Sequence, residues 1–132
     1  MEMLRVLICD DVADTREVFS VMIELSGHAV EITADGRSAI DRILAGGIDA
    51  AVIDIGLPDL SGYAVARAVR GHLSKAQIRL IAITGYATPA DHATAMLAGF
   101  DEWFAKPVKM DVLLGALRRV GQGALVAQPG GS

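Results

Sequence analysis

Two periods alternate along the chain. Short runs dominated by apolar residues, the pattern of strands buried on both faces, alternate with segments whose apolar residues recur every three or four positions, the pattern of amphipathic helices. The first run, "LRVLICD", ends on Asp10. The segment after it, "TREVFSVMIEL", places Val18, Met22 and Leu25 on one helical face, with Asp14 and Glu17 as a capping box at its start and Gly27 at its end. "HAVEIT" reads as a second strand and "GRSAIDRILAGG" as a short helix with Ile40, Ile43 and Leu44 inward. "DAAVIDI" is the third strand, and "SGYAVARAVRGH" the helix that follows, carrying Val65, Ala68 and Val69. "QIRLIAIT" is the fourth strand. Thr88 and Pro89 then serve as N-cap and first residue of the helix "ADHATAMLAG". "FDEWFAK" holds a short fifth strand, with Phe100 and Phe104 as core residues. "KMDVLLGALRRV" is the last helix, with Met110, Leu113, Leu114 and Leu117 inward and Arg118 and Arg119 suiting its C-terminal dipole. Strands alternating with helices of this length predict an α/β domain over residues 1–120, with a parallel sheet and right-handed crossovers. Residues 121–132 are Gly-rich and aperiodic, and are expected to form a tail or linker stub.

Open parallel sheets bind their ligands outside the carboxyl ends of the strands, so the residues closing each strand come next. Strand one closes on Asp10 and Asp11, strand three on Asp54, strand four on Thr84 followed by Gly85, and strand five on Lys106 followed by Pro107. Strand two ends less pointedly, on Thr33. Alone, each of these is ordinary: an acid that caps a turn, a β-forming threonine, a surface lysine. Together they bring carboxylates, a hydroxyl and an ammonium to one edge of the sheet. Clustered carboxylates repel one another unless a cation intervenes. Oxygen ligands favour Mg2+ over Zn2+, since His28, His72 and His92 are scattered and no Cys/His set has zinc spacing. Lys106 and Thr84 suit phosphoryl oxygens. A carboxylate is also able to act as a nucleophile and form an acyl phosphate, and Asp54, single and central, is the best placed to do so.

Composition narrows the partners. At 132 residues the chain holds one core of ordinary size, and 52% apolar against 21% charged residues suits strands covered on both faces. Twelve basic against sixteen acidic residues, a net charge of -4, argue against direct contact with nucleic acid. No apolar stretch approaches the roughly 18 residues of a membrane span, and no leader pattern opens the sequence. The single cysteine, Cys9, rules out an intramolecular disulfide and reads as a small buried hydrophobe. A cytoplasmic setting is expected.

"ICDD", "VIDIGLPDLSGY", "AITGY" and "WFAKP", in this order, resemble the response-regulator receiver domain of two-component signalling over roughly residues 4–120. The resemblance implies a flavodoxin-like, doubly wound (βα)5 fold with a five-stranded parallel sheet of order 2-1-3-4-5. It implies Asp54 as the phosphoacceptor. Mg2+ would be held directly by Asp11, Asp54 and the backbone carbonyl of Gly56, and by Asp10 largely through water. Lys106 and Thr84 would hold the phosphoryl group, with a cis bond between Lys106 and Pro107. Thr84 would be coupled to Trp103 in a switch, at a position where the family usually carries Tyr or Phe. Tyr86, two residues beyond Thr84, would border the phosphoryl group. The implied role is regulatory, with no independent substrate. The implied partners are a histidine kinase or a histidine phosphotransfer protein as donor, and a downstream protein at the face made by the fourth helix, fifth strand and fifth helix. A homodimer is compatible with the same resemblance, and "DIGLPDLSGY" and "TGYATPAD" look more like receivers of hybrid kinases.

Three rival readings are weaker. Hydrolases that pass through an aspartyl phosphate usually carry a second acid two residues after the nucleophile, where this chain has Gly56. A flavin or nucleotide binder needs a Gly-rich loop after strand one, where "DDVADT" stands instead. A pseudo-receiver that is never phosphorylated is opposed by the intact set Asp10, Asp11, Asp54, Thr84 and Lys106.

Overall fold

The alternation of periods is realised in order in the computed structural model, which describes residues 3–85 and 88–120. The elements are β1 (Arg5–Cys9), α1 (Ala13–Leu25), β2 (Ala29–Thr33), α2 (Gly36–Leu44), β3 (Ala50–Asp54), α3 (Gly62–Arg70), β4 (Arg79–Thr84), α4 (Pro89–Ala98), β5 (Glu102–Ala105) and α5 (Met110–Arg118). The sheet order is β2-β1-β3-β4-β5, with every neighbouring pair parallel. The expected 2-1-3-4-5 order is therefore the observed one. The expected tail, residues 121–132, lies outside the described residues.

Successive strand residues face opposite sides, so each apolar run serves two cores. Leu7, Cys9, Ala51, Ile53, Leu80 and Ala82 join the core that includes residues of α2, α3 and α4. Val6, Ile8, Val52, Ile81 and Ile83 join the core that includes residues of α1 and α5. Central β3 is buried at all its positions, which is why its run is apolar until the last residue. From β1 the chain steps outward to β2, and from β3 it steps the other way to β4. The carboxyl ends of β1 and β3 thus flank the topological switch point, where such sheets open a crevice.

Local signals fix most helix starts. Thr88 caps α4 in a full capping box with Asp91, and Pro89 opens the helix, as the sequence predicts. Ser61 caps α3 and Asp35 caps α2 through their side chains. The start of α1 departs from expectation. Asp14 and Glu17 form no capping box; the N-cap is Val12, without a side-chain bond. The reason lies upstream: Asp10 Oδ1 accepts from the Val12 N–H at 2.9 Å, an Asx turn that sets the chain's entry before Asp14 is reached. The inward face of α1 is also different. Phe19 and Ile23 are buried, while Val18, Met22 and Leu25 are 55%, 38% and 78% exposed. On α2, Ile40 and Ile43 are buried as expected, but Leu44 is exposed.

A buried guanidinium ties one end of the sheet together. Arg70, in the last turn of α3, donates from Nε to the Gly99 carbonyl and from Nη1 to the carbonyls of Ser74 and Ile78, each at 2.9 Å. Its Nη2 donates to Asp101 Oδ2 at 2.7 Å, and that same oxygen accepts the Leu80 N–H at 2.8 Å. Gly99 closes α4 in the left-handed region, at φ 115°, and a Cβ there would lie 2.5 Å from Arg70 Cγ. The position therefore requires glycine both for its backbone and for the arginine that crosses it.

Candidate functional site

The strand ends converge as the topology demands. Asp10 immediately follows β1, Asp54 closes β3, Thr84 closes β4 and Lys106 immediately follows β5. Asp10, Asp54 and Thr84 are only 2%, 7% and 1% exposed, whereas Asp11 is open to solvent. One carboxylate oxygen from each of Asp10, Asp11 and Asp54 lies within 4.8 Å of the others. Lys106 Nζ sits between two of these acids, 3.3 Å from Asp10 Oδ2 and 3.3 Å from Asp54 Oδ2. Desolvation pulls the Lys106 ammonium down, but the charges of Asp54 and then Asp10 outweigh it, and the group is held above the usual lysine range. The lysine is therefore fully charged at neutral pH.

Asp54 and Asp10 are each oriented by the backbone. Asp54 Oδ1 accepts the Gly56 N–H at 3.1 Å. Asp10 is held by three groups: the Val12 N–H and Lys106 on its carboxylate, and Arg16, whose Nη1 donates to its carbonyl at 2.8 Å. The turn after Asp54 doubles back closely. The Gly62 N–H reaches the Ile55 carbonyl at 2.9 Å, and a Cβ on Gly62 would lie 2.7 Å from the Asp54 carbonyl oxygen. Only glycine permits that approach. Gly56 differs: the nearest atom to a Cβ there is Asp54 Oδ1, at 4.0 Å. Asp59 ties the same turn to α2, with its carboxylate oxygens accepting the N–H groups of Gly36 at 2.8 Å and Arg37 at 3.0 Å. These bonds, from Gly36 first and then Arg37, hold the Asp59 carboxyl below the usual carboxylate range.

The donor set fits a hard divalent cation. All three groups are carboxylates, with no thiolate or imidazole among them. Oxygens on an octahedral Mg2+ ion stand about 2.9 Å apart when adjacent and about 4.2 Å when opposite, so these three would close in by up to about 2 Å to share one ion. Asp54 is both a member of this set and a partner of Lys106, so a phosphoryl group on it would lie between cation and ammonium.

Among the remaining sequence-expected residues, Gly85 is exposed and the Lys106–Pro107 bond is cis. Trp103 stands half-buried on β5, opposite Ala82 of β4, which puts it on the face and diagonal of Thr84. Tyr86 lies outside the described residues. Phe100 is fully buried and Phe104 partly so. Cys9 is buried, its thiol pushed up to about 11 chiefly by desolvation, so it is not a reactive thiolate at neutral pH. Sequence reasoning missed Arg16 and the role of Asp59, because a lone helix arginine and a turn aspartate carry no signal of the backbone groups they reach. It also missed a groove beside the site, lined by Asp14, Thr15, Val18 and Phe19 of α1 and by Lys106, Pro107 and Val108. Among the described residues, no helix is long and apolar enough to cross a membrane.

Known proteins resemble this chain in sequence and in fold. Response regulator MprA of Mycolicibacterium vanbaalenii is 30% identical over 115 residues, covering 87% of this chain and 49% of the relative. The chain thus spans about half the length of the curated relatives it matches. A CheY-like response regulator receiver domain protein from Methanospirillum hungatei superposes with a TM-score of 0.82 at 28% identity, covering 89% of this chain and 93% of the other. The receiver domain of a sensor histidine kinase from Pseudomonas aeruginosa, whose structure has a magnesium ion coordinated in the active-site cleft, gives a TM-score of 0.81 at 28% identity, covering 90% and 98%. The family described as "Response regulator receiver domain" matches residues 6–118, from β1 to the end of α5. Since that span holds every strand end that builds the acidic pocket, the chain belongs to the response regulator receiver domain family.

Proposed function

We propose that Asp54 accepts a phosphoryl group from the phosphohistidine of a histidine kinase or histidine phosphotransfer protein, in a Mg2+-dependent step that makes this domain a regulated switch in the cytoplasm. The observation that carries the reading is the setting of Asp54. It is a nearly buried carboxylate at the end of the central strand, oriented by the Gly56 N–H and flanked by two further acids and Lys106. In the step itself a carboxylate oxygen of Asp54 attacks phosphorus. The P–N bond of the phosphohistidine breaks, its electron pair returns to the imidazole nitrogen, and that nitrogen takes a proton from water. Asp10, Asp11, Asp54 and the Gly56 carbonyl would hold the Mg2+, which when bound offsets the negative charge of the phosphoryl oxygens. Lys106 supplies a second, fixed positive charge, and the Thr84 hydroxyl donates to a phosphoryl oxygen.

Acetyl phosphate tests this directly. The chain should acquire one base-labile phosphoryl group only when Mg2+ is present. Asp11→Ala should weaken Mg2+ binding about tenfold or more and slow labelling in parallel, because the two acids that remain are both engaged by Lys106. Mg2+ affinity unchanged in Asp11→Ala would remove the metal site from the proposal. An unlabelled wild type would favour the pseudo-receiver.

The donor surface follows from the groove beside Lys106. Val18, Met22 and Leu25 form an exposed apolar stripe along α1, and Val18 shares the lining of the groove with Lys106. An apolar helix face presenting a histidine fits that stripe. Met22→Glu should therefore slow phosphotransfer from a cognate kinase about tenfold more than it slows labelling by acetyl phosphate, which needs no docking surface. Equal slowing of both would place the donor elsewhere. Downstream, movement of Thr84 toward the phosphoryl group would shift Trp103 and alter the α4–β5–α5 face, where a protein partner, or a second copy of the chain, would read the state.

A further inference from the structure

We propose that His92 is a positioning residue for the switch: its imidazole holds Trp103 in place, and phosphorylation must break that hold to move the ring. The proposal rests on the reading of Thr84 and Trp103 as the switch pair. His92 lies in the first half of α4, and its ring stacks on the indole with centroids 4.8 Å apart and planes inclined by 18°. The histidine is exposed and the tryptophan half-buried, so the imidazole is a lid on the solvent side of the indole.

Beneath that lid the indole is not fully satisfied. Trp103 Nε1 is buried without a hydrogen-bond partner among the described residues. An indole N–H is a donor only, and when buried it ordinarily finds an acceptor. Two opposed contributions therefore meet at one ring. The stack favours the observed position, and the orphaned N–H disfavours it. A phenylalanine at 103 would carry no such unmet donor. With tryptophan, any movement that brings Nε1 to an acceptor or to water gains a hydrogen bond and gives up the stack.

Trp103 lies diagonally across from Thr84 on the same face of the sheet, since Trp103 pairs with Ala82 and Thr84 with Ala105. A ring that follows Thr84 slides out from under His92. The stack thus opposes switching, and whatever weakens it favours the moved state. By linkage, a ligand that stabilises the moved ring must then bind more tightly when the stack is removed.

The chain has a single tryptophan, so emission excited at a wavelength that its two tyrosines do not absorb reports this ring alone. The test uses the full chain with Mg2+ and beryllofluoride, whose beryllium becomes tetrahedral on bonding a carboxylate oxygen and so stands in for the phosphoryl group. Compared with wild type, His92→Ala should raise acrylamide quenching of Trp103 about twofold and tighten the apparent beryllofluoride affinity about three- to tenfold, the range that loss of an aromatic pair allows. His92→Phe, which keeps a ring able to stack, should return both quantities to near their wild-type values. Thermal unfolding of each variant checks that the comparison is between folded proteins. Beryllofluoride affinity unchanged in His92→Ala would reduce His92 to a passive cover and overturn the proposal. So would His92→Phe behaving like His92→Ala, since the stack would then not be the agent. A wild type that does not respond to beryllofluoride at all would overturn the phosphoacceptor reading, and the switch with it; that failure is told apart by being independent of residue 92.

Discussion

Asp54→Asn is expected to abolish labelling by acetyl phosphate and by a kinase, a loss of at least about a hundredfold, while the chain stays folded. The side-chain amide matches the carboxylate in size and keeps an oxygen to accept the Gly56 N–H, so the turn after β3 retains its anchor. It lacks the negative charge that makes a carboxylate oxygen nucleophilic enough to attack phosphorus. Stability should hold or rise, because one of the clustered acids becomes neutral while Lys106 still has Asp10 as a partner at 3.3 Å. The Lys106 ammonium, held high by Asp54 and Asp10 against its own desolvation, should move back toward the ordinary lysine range. Labelled phosphate per chain, read alongside circular dichroism, checks the result. Labelling of the folded variant at the wild-type level would remove Asp54 from the mechanism.

The largest expected effect on stability lies away from the site. Arg70→Ala should cost about 3–5 kcal/mol, the usual loss when one partner of a buried ion pair is removed. The two side chains are 13% and 5% exposed, so once the guanidinium is gone the Asp101 carboxylate would keep only the exposed Lys75 ammonium, 3.9 Å away, as a counter-charge and would be screened poorly by solvent. The carbonyls of Gly99 and Ile78 would lose the guanidinium as donor at the same time, while that of Ser74 would keep the Gln77 and Ile78 N–H groups. Urea unfolding of Arg70→Ala, Asp101→Asn and the double variant measures this. The double variant should be less unstable than the sum of the singles, because each single leaves the other's charge or donors stranded. A loss below about 1 kcal/mol in Arg70→Ala would show that water replaces the guanidinium at little cost.

What the sequence made legible follows from how each feature is encoded. The strand-end residues could be read because a parallel sheet sends every carboxyl end to one edge, so position in the chain is enough to place Asp10, Asp54, Thr84 and Lys106. The sheet order came from resemblance, since alternation alone gives parallel strands without their sequence in space. The inward face of α1 was misread because "VFSVMIEL" is apolar almost all round. Val18, Met22 and Leu25 form one stripe, and Phe19 and Ile23 form another one residue away. Periodicity cannot choose between stripes offset by a single position, and here the stripe holding the aromatic ring went into the core. The stripe left outside became the apolar surface beside the groove. The capping box at Asp14 and Glu17 failed for a related reason: the Asx turn at Asp10 had already fixed where the helix begins. The stack of His92 on Trp103 joins residues on different elements, and a lone histidine in a helix carries no mark of it.

The two glycines of the turn after Asp54 divide its evolutionary freedom unequally. At Gly62 an added methyl group would run into the Asp54 carbonyl, so the chain's descendants are confined there to one letter of the alphabet. At Gly56 a Cβ would meet nothing nearer than Asp54 Oδ1, at 4.0 Å, so a side chain can begin there without a clash. A residue at 56 faces the carboxylate that would carry the phosphoryl group, so it can help or hinder the approach of water. Residue 56 would thus tune how long a phosphoryl group lasts on Asp54, while the close approach at Gly62 fixes the shape of the turn that presents the aspartate. Selection can retune the memory of the switch without rebuilding the switch.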